Sequence, residues 1–106
     1  MKVIWTDFAT ESLHDIYKYY EEAASSKVAQ RIKTRIFSVT RQLKHHPDSG
    51  QIEPNLIPLG ENHRYLVEGN YKVIYKKVSE GILVTDIFDT RQDPTKMIHL
   101  KRKPRR

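Results

Sequence analysis

Four residues in the second half of the chain carry groups that a phosphodiester-cleaving site would use: His63, Arg64, Lys72 and Arg91. Cutting RNA at its own 2′-hydroxyl requires a base for the hydroxyl proton and an acid for the leaving oxygen. It also requires cations that stabilise the phosphorane. An imidazole titrates close to neutrality, so His63 would be the base, with Arg64, Lys72 and Arg91 as the cations. The set works only if strand register brings all four together near the sheet. Each member also has an ordinary use. A histidine at a strand start is more often a surface residue, and Arg91, between Asp89 and Asp93, can form a salt bridge that orders the turn at Pro94. His45 and His46 stand at an expected helix end, where a cation complements the dipole. They read as capping residues, not metal ligands, because neither has an i, i+4 partner. There is no cysteine, hence no disulfide and no thiolate zinc site. The residues call for no metal and no cofactor.

The elements that must position these groups follow from periodicity. Val3, Ile4 and Trp5 make a short strand, and Thr6 can cap a helix with Asp7 in its first turn. Leu13, Ile16, Tyr17, Tyr20 and Ala24 recur at helical spacing. Ser25 and Ser26 interrupt that stripe and supply the next cap. Val28, Ile32, Ile36, Val39 and Leu43 continue it to His45-His46, where Pro47 disfavours further helix. So short a join makes a helical hairpin. Residues 47 to 62, with Pro47, Asp48, Gly50, Pro54, Pro58 and Gly60, read as an ordered connection with room for a turn of helix. Three strand-like runs follow: His63 to Glu68, Tyr71 to Val78 and Ile82 to Phe88. Tyr71, Val73 and Tyr75 alternate with Lys72, Ile74 and Lys76, which places both tyrosines in the core. Ile82-Leu83-Val84 is apolar on both faces and so central. The expected fold is α+β, in the order β-α-α-β-β-β. The hairpin packs on one face of a small antiparallel sheet and leaves the other face partly open.

One hundred and six residues make one domain, expected over 1–98, with a basic and mobile tail over 99–106. The net charge of +6 is mostly that tail: Lys101, Arg102, Lys103, Arg105 and Arg106 hold five of the nineteen basic residues. The rest carries 14 basic against 13 acidic residues, and these are segregated. Residues 7 to 22 hold Asp7, Glu11, Asp15, Glu21 and Glu22 against Lys18 alone. Residues 24 to 47 hold Lys27, Arg31, Lys33, Arg35, Arg41 and Lys44 with no acid. Such segregation fits either two helix faces that attract one another or a basic face that meets an acidic partner. The first apolar run, Val3-Ile4-Trp5, is too short for a signal peptide or a membrane span, so the expected location is cytoplasmic.

The second half also carries a resemblance. His63-Arg64-Tyr65-Leu66-Val67 precedes a hairpin, followed by Asn70-Tyr71-Lys72-Val73-Ile74-Tyr75, and the last strand runs Ile87-Phe88-Asp89-Thr90-Arg91-Gln92-Asp93-Pro94. With Trp5-Thr6 leading into Ala9, Leu13 and Ile16, this resembles the RelE/ParE toxin superfamily of type II toxin–antitoxin systems, whose ParE-like branch includes plasmid stabilisation proteins. The likeness runs from about Val3 to Met97. It implies growth arrest, neutralised by a tightly bound antitoxin, and either of two activities. RelE-like toxins cut messenger RNA in the ribosomal decoding site; ParE-like toxins poison DNA gyrase and cut no RNA.

Where the RelE-like catalytic set would fall, the chain mostly lacks it. Arg91 matches one arginine of that set. The late tyrosine falls near Met97, the arginine before the hairpin glycine falls near Val67 or Glu68, and the lysines fall within Leu56 to Asn62, which holds none. The resemblance therefore implies a ParE-like toxin, with a RelE-like endonuclease as the alternative. A degenerate toxin, or a basic module that docks nucleic acid through its sheet, is the competing class, although the strands lack the exposed aromatics of an RNA-stacking platform. The expected partners are a cognate antitoxin and either gyrase or the ribosome. Arg31, Arg35, Arg64 and Arg91 are the candidate antitoxin- or target-binding residues. The extended antitoxin would lie on the helical hairpin or along a strand edge.

Overall fold

Thr6 and Ser25 start the two helices in the same way. Each has extended backbone and a hydroxyl that accepts from the amide three residues on, Ala9 at 3.0 Å and Val28 at 3.1 Å. These bonds satisfy amides that have no partner inside the helix. Helix α1 spans Asp7–Ala23 and α2 spans Ser26–His45. The second ends where Pro47 requires, with the His46 amide bonded to Gln42 O. Strand β1 (Val3–Trp5) precedes them. After them come β2 (Gln51–Ile52), a 3-10 turn η1 (Pro54–Leu59), β3 (Arg64–Glu68), β4 (Tyr71–Val78), β5 (Gly81–Asp89) and a second 3-10 turn η2 (Pro94–Met97). The computed structural model describes residues 1–98. The basic segment 99–106, expected to be mobile, lies outside the described residues.

Five strands form one sheet in the order β1-β5-β4-β3-β2, with both helices on one face. The expected α+β class and element order hold, and β5 is central as its two apolar faces require. One pairing corrects the expectation of an antiparallel sheet. β1 runs parallel to β5, with Val3 beside Ile82 and Trp5 beside Val84, so the sheet is mixed. The reason is non-local: the Ile82 amide donates to Lys2 O at 2.8 Å, an approach that Gly81 leaves open. The connection after α2 also contributes a strand, β2, not expected there. The β4–β5 ladder slips by one residue between Ile74 and Tyr75, leaving Thr85 as the extra residue between Asp86 and Val84.

Packing differs on the two faces. Ala9, Leu13 and Ile36 of the helices meet Tyr71, Val73, Val84 and Ile87, and Leu43 meets Tyr75 and Ile82. On the far face Leu56 of η1 and Met97 of η2 cover Ile74 and Phe88. That face, expected to be partly open, is thus roofed at its centre by the two 3-10 turns. Tyr71 and Tyr75 are both buried, as alternation implied. The Tyr75 hydroxyl donates to Pro47 O at 3.0 Å and accepts from the Gly50 amide at 2.9 Å, which fastens the α2–β2 connection to the sheet. No described helix is long and apolar enough to cross a membrane.

Candidate functional site

Strand register decides whether the four phosphodiester-cleaving groups can act together. Gly69-Asn70 closes a two-residue turn, so Glu68 faces Tyr71 and Arg64 faces Tyr75. Directly paired residues share a sheet face. Tyr75 packs against Leu43 of α2, which places Arg64 on the helix side. Lys72 pairs with Val67 and Phe88, and Phe88 packs under η1 and η2 on the far side. Arg64 and Lys72 therefore lie on opposite faces. Arg91 lies beyond the end of β5. The register brings together neither the set of four nor its central pair.

Each of these groups is also held locally. Arg64 is half-buried and donates Nη1 to Gly50 O at 2.7 Å. Lys72 donates Nζ to Glu53 Oε1 at 2.6 Å, and its ammonium lies 4.1 Å from the Tyr65 ring centroid. Glu53 is fully buried and accepts on Oε2 from both the backbone and side-chain nitrogens of Asn55, each at 2.9 Å. Burial alone would push its carboxyl up. The Lys72 ammonium and the Asn55 bonds outweigh that and hold it below the usual glutamate range. His63, expected at the surface, is buried at 6 % exposure. The Glu53 amide donates to His63 O at 2.9 Å, drawing the η1 segment over the strand start. Its Nε2 lies 3.8 Å from Glu61 Oε1, which itself accepts from Lys76 at 2.9 Å. An imidazole enclosed in this way does not present a base to a substrate in solvent.

A second group gathers where α1 ends beside the end of β5. Arg91 grips Asp89 with two parallel bonds, Nε to Oδ1 at 2.9 Å and Nη2 to Oδ2 at 2.8 Å. The salt bridge envisaged for Arg91 thus goes to Asp89. Asp93 instead caps η2 through the Thr95 amide. The Arg91 guanidinium holds the Asp89 carboxyl below its ordinary range, and Asp89 in turn raises Arg91. Tyr20 lies beside Arg91 and accepts from the Tyr71 hydroxyl at 3.3 Å, while burial pushes the Tyr71 phenol up. Tyr19 stands edge-on to Tyr20 and is mostly exposed. Over half of Arg91's side chain is in solvent, so the ion pair is screened and contributes about 0.5 kcal/mol or less. Arg91→Ala is therefore expected to leave the melting temperature within about 3 °C of the parent, measured by circular dichroism. A larger drop would make Arg91 a structural residue and unusable as a binding probe.

The third group lies along α2. Lys27, Arg31 and Arg35 are exposed and spaced at i, i+4 and i+8, about 6 Å of helix rise per step. Together with Gln30 and Thr34 they line a shallow open depression, whose floor is tied by a Gln30 Nε2 to Thr34 Oγ1 bond at 3.4 Å. None of the three cations is in an ion pair among the described residues. Lys33, about half a turn around the helix from Arg31 and Arg35, instead lies over the Tyr17 and Phe37 rings at 5.5 and 6.0 Å. The segregated charge does not, then, draw these three cations onto α1. Among the described residues no three of histidine, aspartate or glutamate gather as a metal-holding group.

Part of this arrangement is legible in the sequence: Arg31 and Arg35 stand on an acid-free helix, and Lys27 lies four residues before Arg31. The roles of Glu53 and Tyr20 are not. For Glu53 the sequence holds no local sign of burial, since a glutamate between an isoleucine and a proline in a turn-rich stretch reads as exposed.

A family described as the ParE toxin of the type II toxin–antitoxin system parDE matches residues 3–94. No curated protein matches the chain. Among solved structures, one described as the chromosomal ParDE TA system from P. aeruginosa superposes with a TM-score of 0.70. It covers 84% of this chain and 95% of that one at 20% sequence identity, a likeness of fold.

Proposed function

Because the chain belongs to the ParE toxin family of type II toxin–antitoxin systems, we propose that it arrests growth by inhibiting DNA gyrase and that a bound antitoxin neutralises it. The observation that carries this reading is the dispersal of the cleaving groups. Arg64 and Lys72 sit on opposite faces, Lys72 is bonded to a buried carboxylate, and His63 is enclosed. A toxin that acts by binding needs none of these to converge. It needs exposed groups that a large partner can reach, and Arg31, Arg35 and Arg91 are exposed. Arg64, half-buried and bonded to Gly50 O, is the least accessible of the four proposed contacts. The solved structure of the same fold is described as a ParDE system, which fits a protein antitoxin as the first partner. Gyrase as target also implies action in the cytoplasm.

The test is expression from a tightly repressed promoter, with growth, messenger RNA integrity and supercoiling by purified gyrase followed in parallel. Growth arrest with inhibited supercoiling and intact messenger RNA is the expected result. Arrest with codon-positioned RNA cuts would replace gyrase by the ribosome. Full growth at confirmed expression would leave only a degenerate toxin or a binding module, and the proposal would fall.

A further inference from the structure

From the outward face of α2 we infer an electrostatic docking ladder: Lys27, Arg31 and Arg35 receive an extended acidic segment of a protein partner whose carboxylates stand on alternate residues. The inference rests on the proposed function only for the partner's identity as the antitoxin.

Charge supplies the first argument. Lys72, Lys76, Lys77 and Arg91 each hold a carboxylate within 3 Å, whereas the three ladder cations hold none among the described residues. Three unneutralised cations along one helix repel each other, and the segment 24 to 47 offers no acid to relieve them. A partner's carboxylates would.

Shape supplies the second. A partner helix docks by apolar anchors set into a groove. Among the described residues the exposed large apolar ones are Met1, Tyr19, Ile52, Ile57, Leu59 and Val67, and none belongs to α2. Recognition on this face therefore rests on the charged heads of Lys27, Arg31 and Arg35, over a floor of aliphatic side-chain stems. Nucleic acid would bring phosphates, but a single strand also seeks aromatic faces for its bases, and α2 exposes none. An extended peptide fits better. Its side chains on one side recur about every 6.6 Å, against about 6 Å for successive ladder cations, a mismatch that long Lys and Arg stems absorb. Four helical residues turn about 400°, so the ladder drifts about 40° per step and the segment crosses α2 obliquely. The neutral residues between the carboxylates point away from α2, so the segment's backbone passes over Gln30 and Thr34. Each guanidinium can take its carboxylate with two parallel bonds.

The test uses the full chain and a labelled peptide, acetyl-Ser-Glu-Ser-Glu-Ser-Glu-Ser, followed by fluorescence anisotropy. A second peptide has the same composition with its three glutamates adjacent. The alternating peptide is expected to bind about five-fold more tightly than the other, and to weaken about ten-fold between 50 and 300 mM salt. The Arg31→Glu, Arg35→Glu double variant is expected to lose about thirty-fold or more with an unchanged melting temperature, since both side chains are exposed. Lys44→Glu, on the same helix outside the ladder, is expected to change binding less than about two-fold. Equal binding of the two peptides overturns the ladder. So does a loss of about five-fold or more in Lys44→Glu, half the double variant's effect on a logarithmic scale for half its charge change, which would mean net charge alone, or equal binding of an oligothymidylate of the same charge. Gyrase takes no part in this titration, so a chain that binds the alternating peptide but leaves supercoiling intact would refute the gyrase reading and keep the ladder.

Discussion

Gly81→Ala is expected to destabilise the fold by about 4 kcal/mol, much of the roughly 5–15 kcal/mol that holds a domain of this size together. Gly81 has φ +145°, a region that L side chains rarely adopt. A Cβ there would run into Lys2 O, with Lys2 C at 3.1 Å and Lys2 N at 3.2 Å. All three are backbone atoms, so no rotamer change makes room. Backbone strain of this kind costs roughly 1–3 kcal/mol. The rest comes from β1, because Lys2 O is also the acceptor for the Ile82 amide that begins the parallel pairing. Displacing it moves Val3 off the Leu43, Tyr75 and Ile82 cluster and Trp5 off Phe37, whose ring centroid is 5.4 Å away. Gly69→Ala is the control. Gly69 also has positive φ, at +58°, but nothing lies within 4 Å of its Cβ position, so it should cost about 1 kcal/mol. Urea unfolding of both variants decides the matter. If Gly81→Ala lies within about 1 kcal/mol of Gly69→Ala, the parallel edge does not depend on that contact.

What the sequence disclosed was local. Thr6 and Ser25 mark the helix starts, Pro47 marks the end of α2, and Tyr71–Val78 reads as a strand because these signals lie within a few residues of what they control. The direction of β1 was not disclosed, since it is set by a carbonyl meeting an amide eighty residues away. The burial of His63 was hidden for the same reason: η1 folds over it, and nothing in His63's own neighbourhood requires that. One miss was avoidable. A two-residue turn at Gly69-Asn70 fixes Glu68 opposite Tyr71 and hence Arg64 opposite Tyr75. That register puts Arg64 on the side of the buried tyrosines and Lys72 on the other, which separates the phosphodiester-cleaving set on sequence grounds alone. The α2 ladder is legible for the opposite reason. Four-residue spacing on one helix needs no information from elsewhere in the chain.

Lys72→Met is expected to cost about 3 kcal/mol and to lower the melting temperature by about 15 °C, although Lys72 carries no catalytic duty in this reading. The cause is what it leaves behind. Glu53 is fully buried, and without the ammonium at 2.6 Å its charge keeps only the two Asn55 bonds. Glu53→Gln should cost less, about 1 kcal/mol. The amide can keep an acceptor toward Asn55, and Lys72, at 19 % exposure, can turn its ammonium to water. Replacing both by methionine should recover most of the loss, since an apolar pair leaves no charge unpaired. The pH dependence carries the sign. Glu53's folded pKa is lowered beneath its ordinary 4.5, so its contribution is present in full above that value and is lost as pH falls through the lower folded one. In Lys72→Met the lowering interaction is gone and burial dominates, so the carboxyl titrates upward. The variant should therefore gain stability on acidification from neutral pH down to about 4.5, where the parent stays level, and the parent should lose stability only below 4.5. Parallel stability profiles from pH 7 to pH 3 that differ only by a constant offset would show that the pair is not coupled to folding. Lys72 would then be available as a cation for the phosphodiester-cleaving set.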